Sequence, residues 1–330
     1  MPFSSIAGQD RIIALLRKSL ESGRISHAYL FEGIDAGCLK DTALALVQAV
    51  FCGATDGCGE CESCRKIRGQ RHPDLHLLQP DGAFIKVDQI RDLQRELSLR
   101  PYQARKKACI IEDADRMNPA SGNAFLKTLE EPPGDALLIL LTTHGEGILP
   151  TIRSRCQILR FPPLPTETVV SLLREGGTGE EQARMAAALA GGSLARAREI
   201  ADADRLHMRR TLLERTSRLS CRDIFPLLET AEDYARDRET AVDAVDMLKL
   251  FWRDILLVRA GSGEPANLDL LPLVREIAER MTTEQILEKL ERITFAAQAL
   301  ARNVNPRIAL EVLFMDLGAN GHMQHSGKEA

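Results

Sequence analysis

The stretch of sequence that decides the fold is residues 28–41, AYLFEGIDAGCLKD. Its apolar beginning, residues 28–31, predicts a buried strand, and the apolar run at residues 39–51 predicts a helix. A strand, a glycine-containing loop and a helix form the framework of a phosphate-binding loop, in which backbone amides wrap the phosphates of a nucleotide. Without these flanks, the two glycines would be more typical of an ordinary turn.

The loop lacks residues that a working phosphate-binding loop needs, because that loop follows the pattern G-x-x-x-x-G-K-[ST]. Counted from Gly33, Cys38 replaces the last glycine and Leu39 replaces the lysine. Moving the frame by one restores Lys40 as the lysine, but Asp41 then replaces the hydroxyl that binds magnesium. The predicted degenerate loop comprises Gly33, Gly37, Cys38, Leu39 and Lys40. ATP binding by this chain is therefore not expected.

A pair of acids follows the apolar run at residues 108–111. In ATPases with phosphate-binding loops, carboxylates at such a strand end hold magnesium and activate water. Here Glu112 precedes Asp113, the reverse of the usual order, which displaces each carboxylate by one methylene. The pair is a second degenerate element, with solvated acids at a strand end as the alternative. Thr142 and Thr143 follow another apolar run, residues 137–141, at a strand end from which polar groups can contact a γ-phosphate.

Strand-like and helical segments alternate through the first half of the chain. Residues 75–78 and 137–141 predict buried strands, and residues 87–99 and 118–131 predict helices. This alternation predicts a parallel sheet flanked by helices.

Four of the eight cysteines, Cys52, Cys58, Cys61 and Cys64, lie in one short glycine-containing stretch with the spacing C-x5-C-x2-C-x2-C. In a reducing compartment such a cluster predicts metal ligands rather than disulfides. Four thiolates suit a closed, structural zinc site. An iron–sulfur cluster is the competing interpretation, but Arg65 and Lys66 follow in place of the further cysteine and proline of the ferredoxin pattern.

The chain has 330 residues, of which 27% are charged and 44% hydrophobic, as expected for a soluble protein of two or three domains. It starts without a signal segment, and no apolar run approaches the length of a membrane span, which predicts a cytoplasmic location. A net charge of -4 argues against a protein that coats nucleic acid alone. DNA contacts are expected to be local or shared with partners.

Five segments, in this order, resemble the bacterial clamp-loader ATPase family, the AAA+ subunits of the DNA polymerase III holoenzyme. They are residues 3–9 (FSSIAGQ), residues 26–31 (SHAYLF), the four cysteines, residues 123–133 (NAFLKTLEEPP) and residues 151–156 (TIRSRC). Residues 191–194 (GGSL) and 305–311 (NPRIALE) resemble the lid and collar motifs of that family. The degenerate loop makes the chain most similar to the members that have lost a working ATP site.

The resemblance implies an α/β AAA+ P-loop domain at residues 1–163, with a zinc-binding module at residues 52–64. An all-α lid domain at residues 164–205 and an all-α collar domain for oligomerisation at residues 206–318 would follow, and residues 319–330 are expected to be a disordered tail. Two helical stripes within the collar are predicted to be core: Val242, Val245, Leu248, Trp252 and Ile255, and Ile286, Leu290, Ile293, Ala297 and Leu300.

The resemblance also implies a role in trans. In the family, the arginine of the Ser-Arg-Cys motif, Arg155 here, is an arginine finger that reaches a neighbour's ATP and stabilises charge on the transferred phosphoryl group. Without the motif, a surface salt bridge would be favoured for Arg153 and Arg155. The lid arginine, Arg196, follows Ala195 and stands one position later than the phosphate-sensing arginine of motor subunits. The implied partners are the motor subunits (gamma/tau), the delta subunit and, through the assembly, the sliding clamp and primer-template DNA.

Two other functions fit parts of the sequence. One is an active clamp-loader-type (gamma/tau-like) ATPase with an unorthodox loop built around Lys40. The other is a zinc-dependent nucleic-acid-binding module, which uses the basic residues beside the cysteines, Arg65, Lys66, Arg68 and Arg71. ATP turnover by the isolated chain would favour the first, and tight, salt-sensitive DNA binding would favour the second.

Overall fold

The structure, a computed structural model, describes residues 2–54, 56–220 and 223–319. The chain divides into two compact units. The first contains the residues up to Leu172 together with Gly191–Arg196, and the second contains Leu173–Ala190 and the residues from Ala197 onward. The predicted disordered tail lies, apart from Ala319, outside the described residues. The predicted three-domain boundaries stay a prediction.

A five-stranded sheet organises the first unit. Its strands are β1 (Ala28–Gly33), β2 (Leu75–Leu78), β3 (Ala108–Ile111), β4 (Leu137–Thr142) and β5 (Gln157–Phe161). They are all parallel and follow the order β2-β3-β4-β1-β5. The predicted parallel sheet is thus confirmed, and the carboxyl ends of β1, β3 and β4 lie side by side at one edge.

Helices make up most of the remaining chain. Those that begin in the first unit are α1 (Asp10–Glu21), α2 (Ala36–Cys52), α3 (Glu62–Arg68), α4 (Val87–Ser98), α5 (Pro119–Glu130), α6 (Pro150–Arg153), α7 (Thr166–Glu175) and α9 (Leu194–Ile200). Those that begin in the second are α8 (Glu180–Ala190), α10 (Ala203–Ser217), α11 (Phe225–Tyr234), α12 (Arg238–Ala260), α13 (Leu271–Arg280), α14 (Thr283–Ala301) and α15 (Pro306–Gly318). None of the helices in the described ranges is long and apolar enough to cross a membrane.

The sheet is buried on both faces, which explains why its inner strands are continuous apolar runs. Side chains alternate along a strand, so Tyr29 and Phe31 of β1 share one core with Leu46 of α2. Leu30, between them, belongs to the core on the other face, with Phe125 of α5. This packing fixes where β1 ends and where α2 begins, and hence the position of the degenerate loop.

Two details of the fold differ from the sequence predictions. Strand β5 was not predicted, because it lies at the sheet edge and alternates exposed residues such as Gln157 and Arg160 with buried ones. Val242, predicted to lie in the core stripe of α12, is 41% exposed, whereas Val245, Leu248 and Ile255 are buried. Ala241, in the same turn, is buried instead, so Val242 lies outside the packed face of the helix.

The second unit has its own core, formed by α10–α15 and including Trp252 and Phe314. A buried polar network runs through it. Arg209 of α10 is 3% exposed, and its guanidinium donates to Asn267 and Asp269. Asn267 in turn donates its backbone and side-chain N–H groups to Asp254 of α12, both at 2.7 Å. A capping box, formed by Thr282 and Gln285, stands at the start of α14.

Candidate functional site

Asp35 occupies the centre of the degenerate loop. It is the N-cap of α2, and its Oδ1 accepts a hydrogen bond from the backbone N–H of Cys38 at 2.8 Å. Its Oδ2 accepts from Ser193 Oγ at 3.1 Å and from the backbone N–H of Ala195, in the first turn of α9, at 3.0 Å. The N-terminus of a helix after a β-strand is where phosphate-binding loops hold phosphate. Here the chain supplies its own anion to that helix.

The GGSL motif makes this contact possible. Gly192 has a φ of 92°, and a Cβ built on it would lie 2.6 Å from Pro163 Cβ. Only glycine fits this turn, which brings Ser193 to Asp35. The backbone N–H of Arg196 donates to Ser193 Oγ at 3.2 Å. The motif predicted from the sequence as part of the lid therefore holds the loop of the first unit.

Lys40 forms an ion pair with Glu112, with 2.7 Å between Nζ and Oε1. Glu112 Oε1 also accepts a hydrogen bond from Gln79 at 3.0 Å. The structure thus brings together the lysine and one of the two acids predicted from the sequence. Asp113 is not part of this pair. It has a φ of 47°, and its Oδ2 lies 3.7 Å from Nε of Arg116. The charge that a nucleotide-binding lysine directs at phosphate is neutralised here by a carboxylate.

Two more residues of the predicted loop, Leu39 and Cys38, are buried and partly buried, respectively. Leu39 is 1% exposed and belongs to the core. Burial, together with the negative charge of Asp35, raises the pKa of the Cys38 thiol to about 12, so it stays neutral. At the end of β4, Thr142 Oγ1 donates to Asp115 at 2.6 Å and accepts from the backbone N–H of His144 at 3.0 Å. Its hydroxyl therefore contacts the protein itself rather than facing an open phosphate site.

The Ser-Arg-Cys segment follows α6 and is fixed by Arg153. Arg153 Nη2 donates to Glu32 Oε2, and Nη1 donates to the carbonyl of Gly145, both at 3.0 Å. Glu32 is the residue before Gly33 and lies at the carboxyl end of β1. Glu32 was not predicted from the sequence as a site residue, although an acid at the end of a buried strand, immediately before the loop, was a usable signal.

Arg155 lies at the surface, with 37% of its side chain exposed. Its Nε donates to Glu130 Oε1 at 2.8 Å, and Nη2 contacts the same oxygen. Its Nη1 donates to the carbonyl of Thr151 at 3.1 Å. Burial raises the pKa of the adjacent Cys156 thiol to about 12, so this thiol is a neutral packing group. Arg155 is therefore the charged group that this segment presents to solvent.

The four predicted cysteines lie together. Cys52 ends α2, Cys61 is the N-cap of α3 and Cys64 lies within α3, and the sulfurs of all four cysteines are within 4.8 Å of one another. The sulfurs of Cys58 and Cys64 are 4.0 Å apart. Four sulfurs around one tetrahedral zinc ion are separated by about 3.8 Å, given Zn–S distances of about 2.3 Å. The group is therefore able to hold a metal ion.

Hydrogen bonds prepare these sulfurs for a cation. The backbone N–H of Cys61 donates to Cys58 Sγ at 3.3 Å, and that of Cys64 donates to Cys61 Sγ at 3.4 Å. The N–H groups of Cys61 and Glu60, with two neighbouring thiols, lower the pKa of Cys58 to about 6. Burial raises the pKa of Cys64 to about 12. Because thiolates are the form that binds metal, Cys58 is ready to bind an ion, whereas Cys64 would have to give up its proton on binding.

The basic residues beside the cysteines are partly engaged within the protein. Lys66 pairs with Glu62 at 2.7 Å and donates to Gln103 at 3.0 Å. Arg68 donates to the carbonyl of Gly59. Two of the four cations suggested for nucleic-acid binding thus have internal contacts, which weakens that alternative.

Comparison with known proteins places these features in a family. The family model described as DNA polymerase III, delta subunit, matches residues 8–165, and the model for the C-terminal part of a DNA polymerase III delta subunit matches residues 203–318. A crystal structure of a DNA polymerase III gamma subunit-related protein from Thermotoga maritima has the same fold, with a TM-score of 0.55 and 19% identity over 93% of this chain and 98% of that chain.

Sequence relatives cover between half and nearly all of the chain. DNA polymerase III subunit delta' of Escherichia coli (strain K12) is 29% identical over 277 residues, 81% of each protein. The gamma/tau subunit of Mycobacterium tuberculosis (strain H37Rv) is 36% identical over 176 residues, but these are 52% of this chain and 30% of that protein. DNA polymerase III subunit delta' of Bacillus subtilis (strain 168) is 33% identical over 316 residues, 94% of this chain and 96% of that protein. The chain therefore belongs to the delta' subunits of bacterial DNA polymerase III.

Proposed function

We propose that this chain is a clamp-loader subunit that does not hydrolyse ATP itself and that supplies Arg155 to the ATP site of a neighbouring motor subunit. Together with gamma/tau and delta subunits, it helps to load the sliding clamp on primer-template DNA during replication. By itself it is not an enzyme. It acts in the bacterial cytoplasm, a reducing compartment that suits its free cysteines.

The observation that carries the first part of the proposal is the position of Asp35. A nucleotide phosphate at the start of α2 would meet a carboxylate that already accepts hydrogen bonds from Cys38 and Ala195. The phosphate would have to displace this anion, and it would find Lys40 paired with Glu112. Two like charges cannot share such a site without a large cost. This supports a chain that neither binds nor hydrolyses ATP productively.

The second part of the proposal is supported by the contrast with Arg155. In the degenerate nucleotide site, the charged groups of Asp35, Lys40 and Glu112 contact other groups of the chain. Arg155, in contrast, is exposed at a segment anchored by Arg153 and Glu32. A guanidinium is the group best suited to stabilise a phosphoryl group in transfer, and an arginine supplied in trans is worth about 10³–10⁵ in rate at its site. The charged group suited to catalysis is thus on the outside, where a neighbour can use it.

Assembly requires a surface that sibling subunits can cover. On α15, Ile308, Val312 and Met315 are 56%, 46% and 41% exposed. Spacings of four and three residues place them on one face of the helix. We propose that the collar domains of the motor and delta subunits cover this face, because the family assembles through the corresponding domain.

We propose zinc as the metal of the four-cysteine module. Cys52, Cys58, Cys61 and Cys64 would hold it in a closed site whose role is to fold the module. Bidentate contacts of Arg17 with Asp56, at 2.6 and 2.8 Å, then join the module to α1. Four thiolates leave zinc no open position for catalysis.

The experiment is reconstitution of the clamp loader from motor and delta subunits with wild-type chain or with Arg155→Ala. Arg91→Ala is the matched control, since Arg91 is also a surface arginine in an ion pair, 3.1 Å from Asp88. We expect all three chains to assemble, and we expect DNA-dependent ATP hydrolysis and clamp loading to fall only with Arg155→Ala. Equal activity of the three complexes would disprove the finger, and ATP turnover by the isolated chain that is lost on Lys40→Ala would disprove the inactive site.

A further inference from the structure

Glu130 is the residue that holds Arg155 in the structure. Nε and Nη2 of Arg155 both contact Oε1 of Glu130, and Nη1 is engaged by the Thr151 carbonyl and, at 3.4 Å, by Ser154 Oγ. All three guanidinium nitrogens therefore have partners within the chain. A phosphate that approaches Arg155 must compete with the Glu130 carboxylate for the same N–H groups.

The position of Glu130 needs a cation beside it. Glu130 is the last residue of α5, where the helix carries partial negative charge from its unpaired carbonyl groups. A carboxylate is unfavourable there unless a positive charge compensates it. Arg155 provides that charge, so the helix end and the carboxylate attract the guanidinium together. Pro132 and Pro133 follow after Glu131 and restrict how the chain leaves the helix.

The strength of this contact suits a reversible hold. The side chains of Arg155 and Glu130 are 37% and 51% exposed, and exposed ion pairs are weak. Such a pair favours the held state over the released state by about two- to fivefold. A triphosphate with several negative charges can therefore displace the carboxylate, whereas water cannot do so as effectively.

We propose that Glu130 is a positioning residue that restrains Arg155 until nucleotide in the neighbouring subunit competes for it. The proposal rests on the function proposed above for Arg155. Glu130 then sets the ATP concentration at which the finger engages, because each engagement breaks the Glu130 contact. It does not set the rate once Arg155 is on the phosphate, since Glu130 no longer touches the guanidinium at that stage.

The test compares Glu130→Gln with Glu131→Gln in the reconstituted clamp loader. Glutamine keeps the shape of the side chain and removes its charge, and Glu131 is the adjacent exposed acid. We expect Glu130→Gln to lower the apparent KM for ATP in DNA-dependent hydrolysis by about two- to fivefold, with kcat unchanged. Glu131→Gln should match wild type, and Glu130→Asp should restore KM towards wild type.

Two results would overturn the proposal. An unchanged KM with Glu130→Gln would show that the ion pair does not restrain Arg155, and a fall in kcat would show that Glu130 presents the arginine rather than restrains it. Arg155→Ala, measured alongside, separates the two proposals: if it lowers activity while Glu130→Gln has no effect, only the restraint fails. If Arg155→Ala itself has no effect, the finger fails and the restraint with it.

Discussion

Replacing Asp35 by alanine removes the carboxylate that the first turns of α2 and α9 share. The backbone N–H groups of Cys38 and Ala195 and the hydroxyl of Ser193 would then lose their acceptor. Asp35 is only 9% exposed, so water replaces the carboxylate poorly. We therefore expect the first unit to be less stable, although its sheet is untouched.

The loss of stability expected for Asp35→Ala follows from the number of helix N-termini that Asp35 caps. Loss of one capping side chain costs about 0.5–2 kcal/mol of stability. Asp35 serves two helices, so the combined loss is about 1–4 kcal/mol, and its burial argues for ~2–3 kcal/mol. Asp35→Asn should lose less stability, because the amide oxygen can still cap one helix. Some loss remains, since the NH₂ group cannot accept from the N–H donors of the other helix.

Hydrogen exchange measured by mass spectrometry can assign the loss to the first unit, because slowly exchanging peptides from β4 report its opening free energy. The only tryptophan, Trp252, lies in the second unit, so its fluorescence during urea unfolding reports that unit separately. We expect Asp35→Ala to lower the protection of β4 and to leave the Trp252 transition nearly unchanged.

Glu146→Ala is the control, because it removes an exposed carboxylate from the same unit and should change stability by no more than about 0.5 kcal/mol. Equal protection of β4 in Asp35→Ala and Glu146→Ala would refute the reasoning. It would mean that the two helix starts do not depend on the shared carboxylate.

Three further predictions concern other parts of the chain. Metal analysis should find one zinc ion per chain and no absorption from an iron–sulfur cluster, and Cys64→Ser should lose the zinc and unfold the module, since zinc contributes on the order of 10 kcal/mol to such folds. Burial raises the pKa of Asp74, but hydrogen bonds from three backbone N–H groups outweigh this and hold it below its ordinary 3.8. Asp74→Asn should therefore lower the unfolding free energy at pH 7 by about 1–3 kcal/mol, and the difference from wild type should shrink as the pH falls below 3.8, where the wild-type carboxylate takes up a proton. Arg209→Met should lower the urea stability followed by Trp252 fluorescence by about 3–5 kcal/mol, because it leaves the mostly buried carboxylate of Asp269, 14% exposed, without its cation and the buried Asn267 without a donor.

Much of the fold can be predicted from the sequence because its signals are local. Buried parallel strands are continuous apolar runs, and the helix that starts at Thr283 carries its capping box in four consecutive residues. The cysteine cluster is also local, since its four members lie between residues 52 and 64. Strand β5 escaped prediction because a sheet-edge strand needs only one apolar face, and a short alternating run resembles many loops.

The contacts that define the degenerate site have no local signal. The sequence marks Asp35 as an acid in an unsuitable place, but its partner Ser193 is 158 residues away. Arg153 and Glu32 are separated by 121 residues. The Arg155 motif is visible in the sequence, but its attachment to Glu130 depends on how α5 and α6 pack. Charge pairing across a fold becomes visible only when the three-dimensional structure is known.

The carboxylate of Asp35 has a consequence for how this chain responds to the energy state of the cell. A subunit stabilised by bound nucleotide gains a free energy that varies with ligand concentration, as RT ln(1 + [L]/Kd). Here the anion that joins the loop to residues 193–195 is covalently part of the chain, so this contribution does not vary. We expect the local conformation to be the same at every ratio of ATP to ADP, whereas the subunits around it change with that ratio.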